Sequence, residues 1–370
     1  MKVLHIFHEL KFSGAEIMYV DAAPLFRKKG CSLTAMATAK ELGNYASNFK
    51  KNGYSILHMP IPPLNKYLSR IYYYKNIIAL FNLNKYDTIH IHSLTAMWGF
   101  ALCAWLCKIK SVYTFHNVFP TSFYSYPYHL LLRFSAKYIF NCCFQTISDS
   151  VFENEKKLYL NNTIKIYNWY NDNRFYPCID DNEKYKFREE LNIEKSALVL
   201  ISIGGCSGIK RHSDILKALP FILDKIPNTI YLHLGKGETE CEEKKLAKSL
   251  GISESVIFCN NQQDVRKYLI SSDIYLMTSK FEGIPITTIE AMACGIPTIL
   301  YDVPGLRDFN NELNSSILIK EDIRLLSKCI LTLVDDKILK RTIVNNAFIT
   351  VEKKFRLKVN ANQIFNIYIN

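Results

Sequence analysis

Residues 274–301 read Ile274-Tyr-Leu-Met-Thr-Ser-Lys-Phe-Glu282-Gly-Ile-Pro-Ile-Thr-Thr-Ile-Glu290-Ala-Met-Ala-Cys-Gly295-Ile-Pro-Thr298-Ile-Leu-Tyr301. The ends, Ile274–Met277 and Thr298–Tyr301, are short apolar runs of strand type. Between them a loop with Gly283 and Pro285 enters a helical segment that starts near Thr287 and stops before Gly295-Ile296-Pro297. Strand, helix and strand in succession make a βαβ unit, whose two strands must be parallel. The same rhythm extends outward. Strand-like runs recur at Val3–Phe7, Ser32–Ala37, Thr88–His92, Ser111–His116, Leu198–Ile203, Ile230–Leu234 and Val256–Cys259, with helix-length segments such as Gly14–Lys29 between them. This alternation predicts an α/β protein with parallel sheets covered on both faces. It breaks once, between Asn168 and Ser196, in a polar stretch with Pro177, Asp180 and Asp181 that reads as a linker and an opening helix, Glu183–Leu191. Two Rossmann-like domains are expected, divided near residue 172.

Composition agrees with that size. The 370 residues are 49% apolar and 22% charged, which excludes disordered, collagen-like and disulfide-stapled classes. Eleven cysteines without a CxxC pair read as reduced thiols, not as disulfides or zinc ligands. The opening run MKVLHIFHEL is broken by His5, His8 and Glu9, so it reads as a buried strand and not a signal peptide. The longest apolar run, Ala96 to Cys107, is too short to span a bilayer. The net charge of +12 points to an acidic partner: nucleic acid, an anionic membrane surface or a phosphorylated substrate.

Ligands of open α/β sheets bind outside the carboxyl ends of the strands, so the loops there are the candidates. Ser13-Gly14-Ala15-Glu16 follows the first strand and fits either an anion-binding helix start or an ordinary Ser13 cap. His116 ends a strand, where an imidazole can serve a substrate hydroxyl. His90 and His92 share one strand face, but no third ligand follows at helical spacing, so they read as a polar strand end. Gly204-Gly205-Cys206-Ser207-Gly208-Ile209-Lys210 is neither a Walker A loop nor GxGxxG, yet glycines plus a lysine suit a diphosphate. Gly235-Lys236-Gly237 alone carries little. In the opening stretch, Glu282 lies on a loop and Glu290 in the following helix, whose first N–H groups suit a diphosphate. Glu290 also has a second reading, because Thr287-x-x-Glu290 matches a capping box.

Taken together, these motifs resemble the retaining glycosyltransferases of family 4, over nearly the whole chain and in the same order. The resemblance rests on Ser13-Gly14-Ala15-Glu16, Asp87-x-x-His90-x-His92, Thr114-x-His116, Ile147-Ser148-Asp149-Ser150, Gly204 to Lys210, and Glu282 to Glu290 followed by Ala-Met-Ala-Cys-Gly-Ile-Pro. It implies a GT-B fold: an N-terminal acceptor domain (1–172) and a donor domain (173–354), their sheets facing across a cleft, with a helix over 355–370 returning to the first. It implies a hexosyltransferase-type enzyme that moves a sugar from a nucleotide-diphosphate sugar, UDP-sugar best, to a hydroxyl on a glycan or lipid-linked acceptor in bacterial capsule, O-antigen or exopolysaccharide synthesis. Glu290 would hold the ribose and Glu282 the donor sugar. Lys210, Gly204, Gly205 and the backbone at Pro285, Ile286 and Thr287 would hold the diphosphate. Ser13 and Gly14 would close the phosphate site, and His116 would meet the transferred sugar. A GT-B nucleotide-sugar epimerase is the alternative.

The chain departs from that pattern in three places. Gly205 stands where an arginine is common, leaving Arg211 or Lys236 to compensate. Asn168-Trp169-Tyr170-Asn171 replaces Asn-Gly-x-Asp, and Lys236 stands at a variable position near the nucleotide. No two aspartates lie two apart, so neither a metal nor a cofactor is expected. The charge concentrates in residues 1–175, with 20 Lys and Arg against 9 Asp and Glu. Basic residues mix with aromatics over Tyr67–Lys85, and again from 119 to 140 with Arg133 and Lys137. The expected setting is cytoplasmic, peripheral on the inner face of an anionic membrane, with no nucleic acid.

Overall fold

The computed structural model describes residues 1–118 and 124–370. It comprises two compact units, residues 1–169 with 357–370, and residues 170–356. The chain therefore passes between units twice. The two crossings pair as a short parallel bridge, Tyr170 with Arg356, in which the Tyr170 N–H donates to the Phe355 carbonyl at 3.0 Å.

The first unit holds seven parallel strands: β1 Lys2–Phe7, β2 Ser32–Ala37, β3 Tyr54–His58, β4 Thr88–Ile91, β5 Lys110–Phe115, β6 Cys143–Thr146 and β7 Ile164–Lys165, in the order β3-β2-β1-β4-β5-β6-β7. The second holds six: β8 Leu198–Ile203, β9 Thr229–Leu234, β10 Val256–Asn260, β11 Ile274–Met277, β12 Thr298–Tyr301 and β13 Ile317–Ile319, in the order β10-β9-β8-β11-β12-β13. Central strands are apolar on both faces; all six residues of β8 are buried, as helices on both sides of a parallel sheet require. Each order reverses once, beside β1 and beside β8. The loops after β1 and β4, and after β8 and β11, therefore diverge at switch points.

Local chemistry sets the boundaries. The expected helix after the linker spans Asp181–Glu190, and the Asp180 carboxylate caps it by accepting from the Glu183 N–H at 2.8 Å. The last helix, Leu357–Ile369, belongs to the first unit: Asn360 donates to the Asn168 carbonyl at 3.1 Å, and the Tyr368 hydroxyl meets His90 Nδ1 at 2.6 Å. No described helix is long and apolar enough to cross a membrane.

Trp169 fills the position where the resemblance led us to expect glycine. It is buried, its indole N–H donates to the Met18 carbonyl at 3.0 Å, and its ring packs edge-on against Tyr19. The large side chain thus anchors the end of the first unit to its first helix, Gly14–Lys28. Replacing Trp169 by Ala should cost about 3–5 kcal/mol, as removing a buried aromatic does elsewhere. Urea unfolding followed by tyrosine fluorescence measures this; a cost under about 1 kcal/mol, in the range of ordinary surface substitutions, would contradict the anchoring role.

Candidate functional site

In the second unit the loops after β8 and β11 are laced together by hydrogen bonds to backbone carbonyls. The Lys280 N–H donates to the Ile209 carbonyl at 2.9 Å, and the Thr278 hydroxyl donates to the Lys210 and Arg211 carbonyls at 3.1 and 3.0 Å. This lacing brings Lys210 Nζ to 2.7 Å from Glu282 Oε1, with both side chains partly exposed. Gly204 lies under the Lys210 stem; a Cβ on Gly204 would stand 3.3 Å from Lys210 Cε. Gly235-Lys236-Gly237 supports the same loop from behind. The Gly204 N–H donates to Leu234 and the Cys206 N–H to Lys236, at 2.9 and 3.1 Å. A Cβ on Gly235, whose φ is +146°, would overlap the Gly204 carbonyl, and one on Gly237 would overlap that of Cys206.

The helix Ile286–Ala293 begins beside Glu282, with Pro285 as N-cap and no side-chain cap. Its first N–H groups have no intrahelical acceptor, which favours an anion. The capping-box reading of Thr287 and Glu290 is corrected here. Thr287 lies inside the helix, and its hydroxyl donates to the Ile203 carbonyl at 3.2 Å and meets the Tyr275 hydroxyl at 2.9 Å. Glu290 is buried on that helix. Arg211 is committed elsewhere: it pairs with Asp214 at 2.7 Å and with Glu321, and lies over the Tyr301 ring. Lys236 is exposed.

In the first unit, Ser13 is the N-cap residue of Gly14–Lys28, but its hydroxyl donates to the Glu16 carboxylate and accepts no hydrogen bond from the helix N–H groups. His116, following β5, joins a row of imidazoles drawn from three strands. His5 Nδ1 lies 3.1 Å from His92 Nε2, and His92 Nδ1 lies 3.1 Å from His116 Nε2. His90 bonds Thr114 at 2.7 Å and Tyr368 at 2.6 Å. Reading His90 and His92 as a polar strand end is therefore corrected. His90 is fully buried, and a third histidine comes from the neighbouring strand, where His5 is paired with His90 in register. Desolvation lowers His5 to about 3 and His116 to about 4, and lowers His90 and His92 well below the ordinary value. The row is neutral at pH 7, and it orients His116 through Nε2.

One further group was not visible along the chain. Cys206, His212, His233 and Glu243 converge in the second unit, although residues 206 and 243 lie far apart in sequence. Only the loop after β8 meeting the carboxyl end of β9 brings them together, and no spacing rule captures that.

Two doubly wound units, with a lysine, a carboxylate and a helix start at the switch point of the second, make an arrangement suited to a phosphorylated ligand. Residues 12–152 match the family described as Glycosyltransferase Family 4, and residues 183–349 match Glycosyl transferases group 1. A Bacillus anthracis N-acetyl-alpha-D-glucosaminyl L-malate synthase is 27% identical over 292 residues, covering 76% of this chain and 74% of that one. An Escherichia coli UDP-Gal:alpha-D-GlcNAc-diphosphoundecaprenol alpha-1,3-galactosyltransferase is 23% identical over 325 residues, covering 84% and 83%. The crystal structure of Anabaena HepE in complex with UDP and glucose superposes with a TM-score of 0.84 at 19% identity, covering 99% of this chain and 98% of that one. The chain belongs to glycosyltransferase family 4, has the GT-B fold, and uses a nucleotide-sugar donor. That assignment replaces the epimerase alternative.

Glu16 provides a test of the first unit. Burial raises its carboxyl to about 7 from 4.5, against the Ser13 hydrogen bond, which lowers it. The folded state therefore holds the proton more tightly than the unfolded state. Stability is lost as pH rises from about 4.5 through 7, by up to about 3 kcal/mol. Glu16→Gln should flatten that part of the pH profile, read as unfolding midpoints at pH 5 and pH 8. An unchanged profile would refute the assignment.

Proposed function

We propose that this chain is a retaining glycosyltransferase that moves a sugar from a UDP-sugar to a hydroxyl of a lipid-linked glycan, in building a bacterial surface polysaccharide. The observation that carries this reading is the Lys210–Glu282 pair beside the start of Ile286–Ala293. Bond breaking at the donor places negative charge on the diphosphate, and preorganised donors aimed at that charge supply the largest part of such catalysis. Lys210 and the N–H groups at Ile286 and Thr287 serve this role. As the diphosphate engages Lys210, the Glu282 carboxylate is released to accept from a donor-sugar hydroxyl. Glu290 accepts from the ribose hydroxyls, and Gly204 and Gly205 let the backbone approach the phosphates. In the first unit, Ser13 and Gly14 serve the phosphates and His116 the transferred sugar.

The acceptor attacks from the side the diphosphate leaves, and the leaving phosphate oxygen takes the acceptor's proton; the anomeric configuration is thereby retained. A nucleotide with UDP chemistry is supported by the HepE complex and the E. coli galactosyltransferase, whose name gives UDP-Gal as donor and alpha-D-GlcNAc-diphosphoundecaprenol as acceptor. With no Asp-x-Asp pair in the sequence, the charge at the diphosphate is neutralised by Lys210 and the helix start, without a catalytic metal. Lys210→Ala and Glu282→Ala should each lower turnover about 10²-fold or more, and added Mn²⁺ should leave wild-type turnover unchanged. Wild-type rates in both variants, measured by UDP release, would overturn the site assignment.

The first unit is proposed to bind the acceptor at an anionic membrane surface. Residues 1–169 with 357–370 carry 20 Lys and Arg against 8 Asp and Glu, whereas residues 170–356 carry 26 of each. Helix Tyr67–Asn84 exposes Tyr67, Leu68, Ile71 and Tyr72 near Lys66, Arg70 and Lys75, and it packs on Met97–Leu106, which exposes Trp98 and Trp105. Two parts of the expected patch are corrected. Tyr73 and Phe81 point into the core, and Arg133 is buried in a two-pronged bond to Glu155 at 2.8 Å with Tyr159 stacked on it. Residues 119–123 of the expected stretch lie outside the described residues. The protein should sediment with vesicles containing phosphatidylglycerol but not with neutral phosphatidylcholine vesicles, and salt should weaken the binding. Absence from both pellets would remove the membrane role.

A further inference from the structure

We propose that Cys206, His212, His233 and Glu243 form a structural zinc site that clamps the loop carrying Lys210. All four side chains are buried, at 1%, 2%, 0% and 4% exposure. The thiol sulfur lies 3.9 Å from His233 Nε2, which lies 2.9 Å from Glu243 Oε2; the other carboxylate oxygen, Oε1, lies 3.5 Å from His212 Nδ1. One donor atom from each of the four comes within 4.8 Å of one from every other. Tetrahedral zinc, with bonds of about 2.0–2.3 Å, places neighbouring donor atoms about 3.3–3.6 Å apart. The observed separations bracket that range, so a small inward adjustment closes the shell.

The chemistry of the set agrees with the geometry. Thiolate, imidazole and carboxylate together select a borderline-soft divalent ion. One thiolate and one carboxylate balance its two charges, so the loaded site is neutral, as a buried site must be to avoid a large desolvation cost. Without an ion, His212 Nδ1, the ring nitrogen that faces Glu243, is buried without a hydrogen-bond partner. The Thr239 hydroxyl donates to Glu243 Oε1 at 2.7 Å, holding the carboxylate from outside the set as a supporting partner does at metal centres.

The position gives the ion a task. Cys206 belongs to the loop after β8, His212 opens the helix His212–Leu223, His233 lies on β9 and Glu243 on Glu240–Ser249. An ion here fixes both ends of residues 206–212, and with them the backbone of Lys210. It acts by positioning and makes no contact with the donor. This proposal does not depend on the catalytic reading: zinc can be present whatever the donor, and its loss is read directly.

The test uses the full chain purified from zinc-supplemented culture. Elemental analysis should find about one zinc per chain, and cobalt loading should produce a thiolate-to-metal band in the near ultraviolet with the visible bands of a tetrahedral ion. Cys206→Ser should abolish the thiolate band, and His233→Gln should lower the metal content several-fold, with circular dichroism confirming that both variants are folded. Wild-type protein that is folded yet holds no zinc and gives no cobalt spectrum would overturn the site. So would an unchanged cobalt spectrum in Cys206→Ser, which would place the ion at another cysteine. If a variant fails to fold, the wild-type content and spectrum still decide the matter.

Discussion

The second unit depends on how closely two backbones approach at the carboxyl ends of β8 and β9. Gly204-Gly205-Cys206 and Gly235-Lys236-Gly237 touch main chain to main chain, a separation that no side chain at residue 235 or 237 would permit. From this contact the rest follows in order. The loop after β8 is fixed against β9. Thr278 and Lys280 then lace it to the loop after β11, across the reversal in strand order. Lys210 and Glu282, which are 72 residues apart in sequence, are thereby held in contact at the point where a parallel sheet leaves room for a ligand.

The legible parts of the sequence were those carried by local periodicity. Both sheets and the motif loops of the second unit show through apolar runs and glycine placement. Four strands did not. β7 has two residues and β13 three, too short for any period to register, and β3 is an edge strand whose Ser55 and His58 are exposed. β6 mixes Gln145 and Thr146 into its run, and both are buried by bonding: Gln145 spans to the Ile166 carbonyl, and Thr146 meets Thr163. The histidine row and the Cys206 cluster were hidden for another reason. Their members meet through strand register and loop packing, and such contacts leave no spacing along the chain. Arg133 illustrates the reverse error: amid aromatics it reads as a surface cation, but Glu155 pairs with it at depth, and only tertiary structure supplies that partner.

Charge is used in two ways within one chain. The second unit has no net charge, yet it places one cation where a ligand's charge is expected. A single lysine in a partly desolvated loop is worth more there than several in water, because the field is local. The first unit carries all of the +12, spread over its surface. Such a field is screened within about 8 Å at physiological ionic strength. It cannot favour one small ligand over another, but it acts on an extended surface of opposite sign, where many weak contacts add.

The surroundings of Gly205 leave little room for a side chain. A Cβ at that position would stand 3.3 Å from the Lys236 carbonyl, and that carbonyl already accepts the Cys206 N–H. An arginine there would require the 235–237 loop to withdraw by a few tenths of an ångström, loosening the contact that positions Lys210. Arg211 cannot replace it, because two carboxylates and the Tyr301 ring already hold its guanidinium. Glycine at 205 therefore permits the close fit of the two loops. On the proposed function, Lys210 neutralises the diphosphate with only the start of Ile286–Ala293 beside it. Its pairing with Glu282 keeps the ammonium aimed at the site before any ligand arrives, which lowers the ordering cost at the moment of binding.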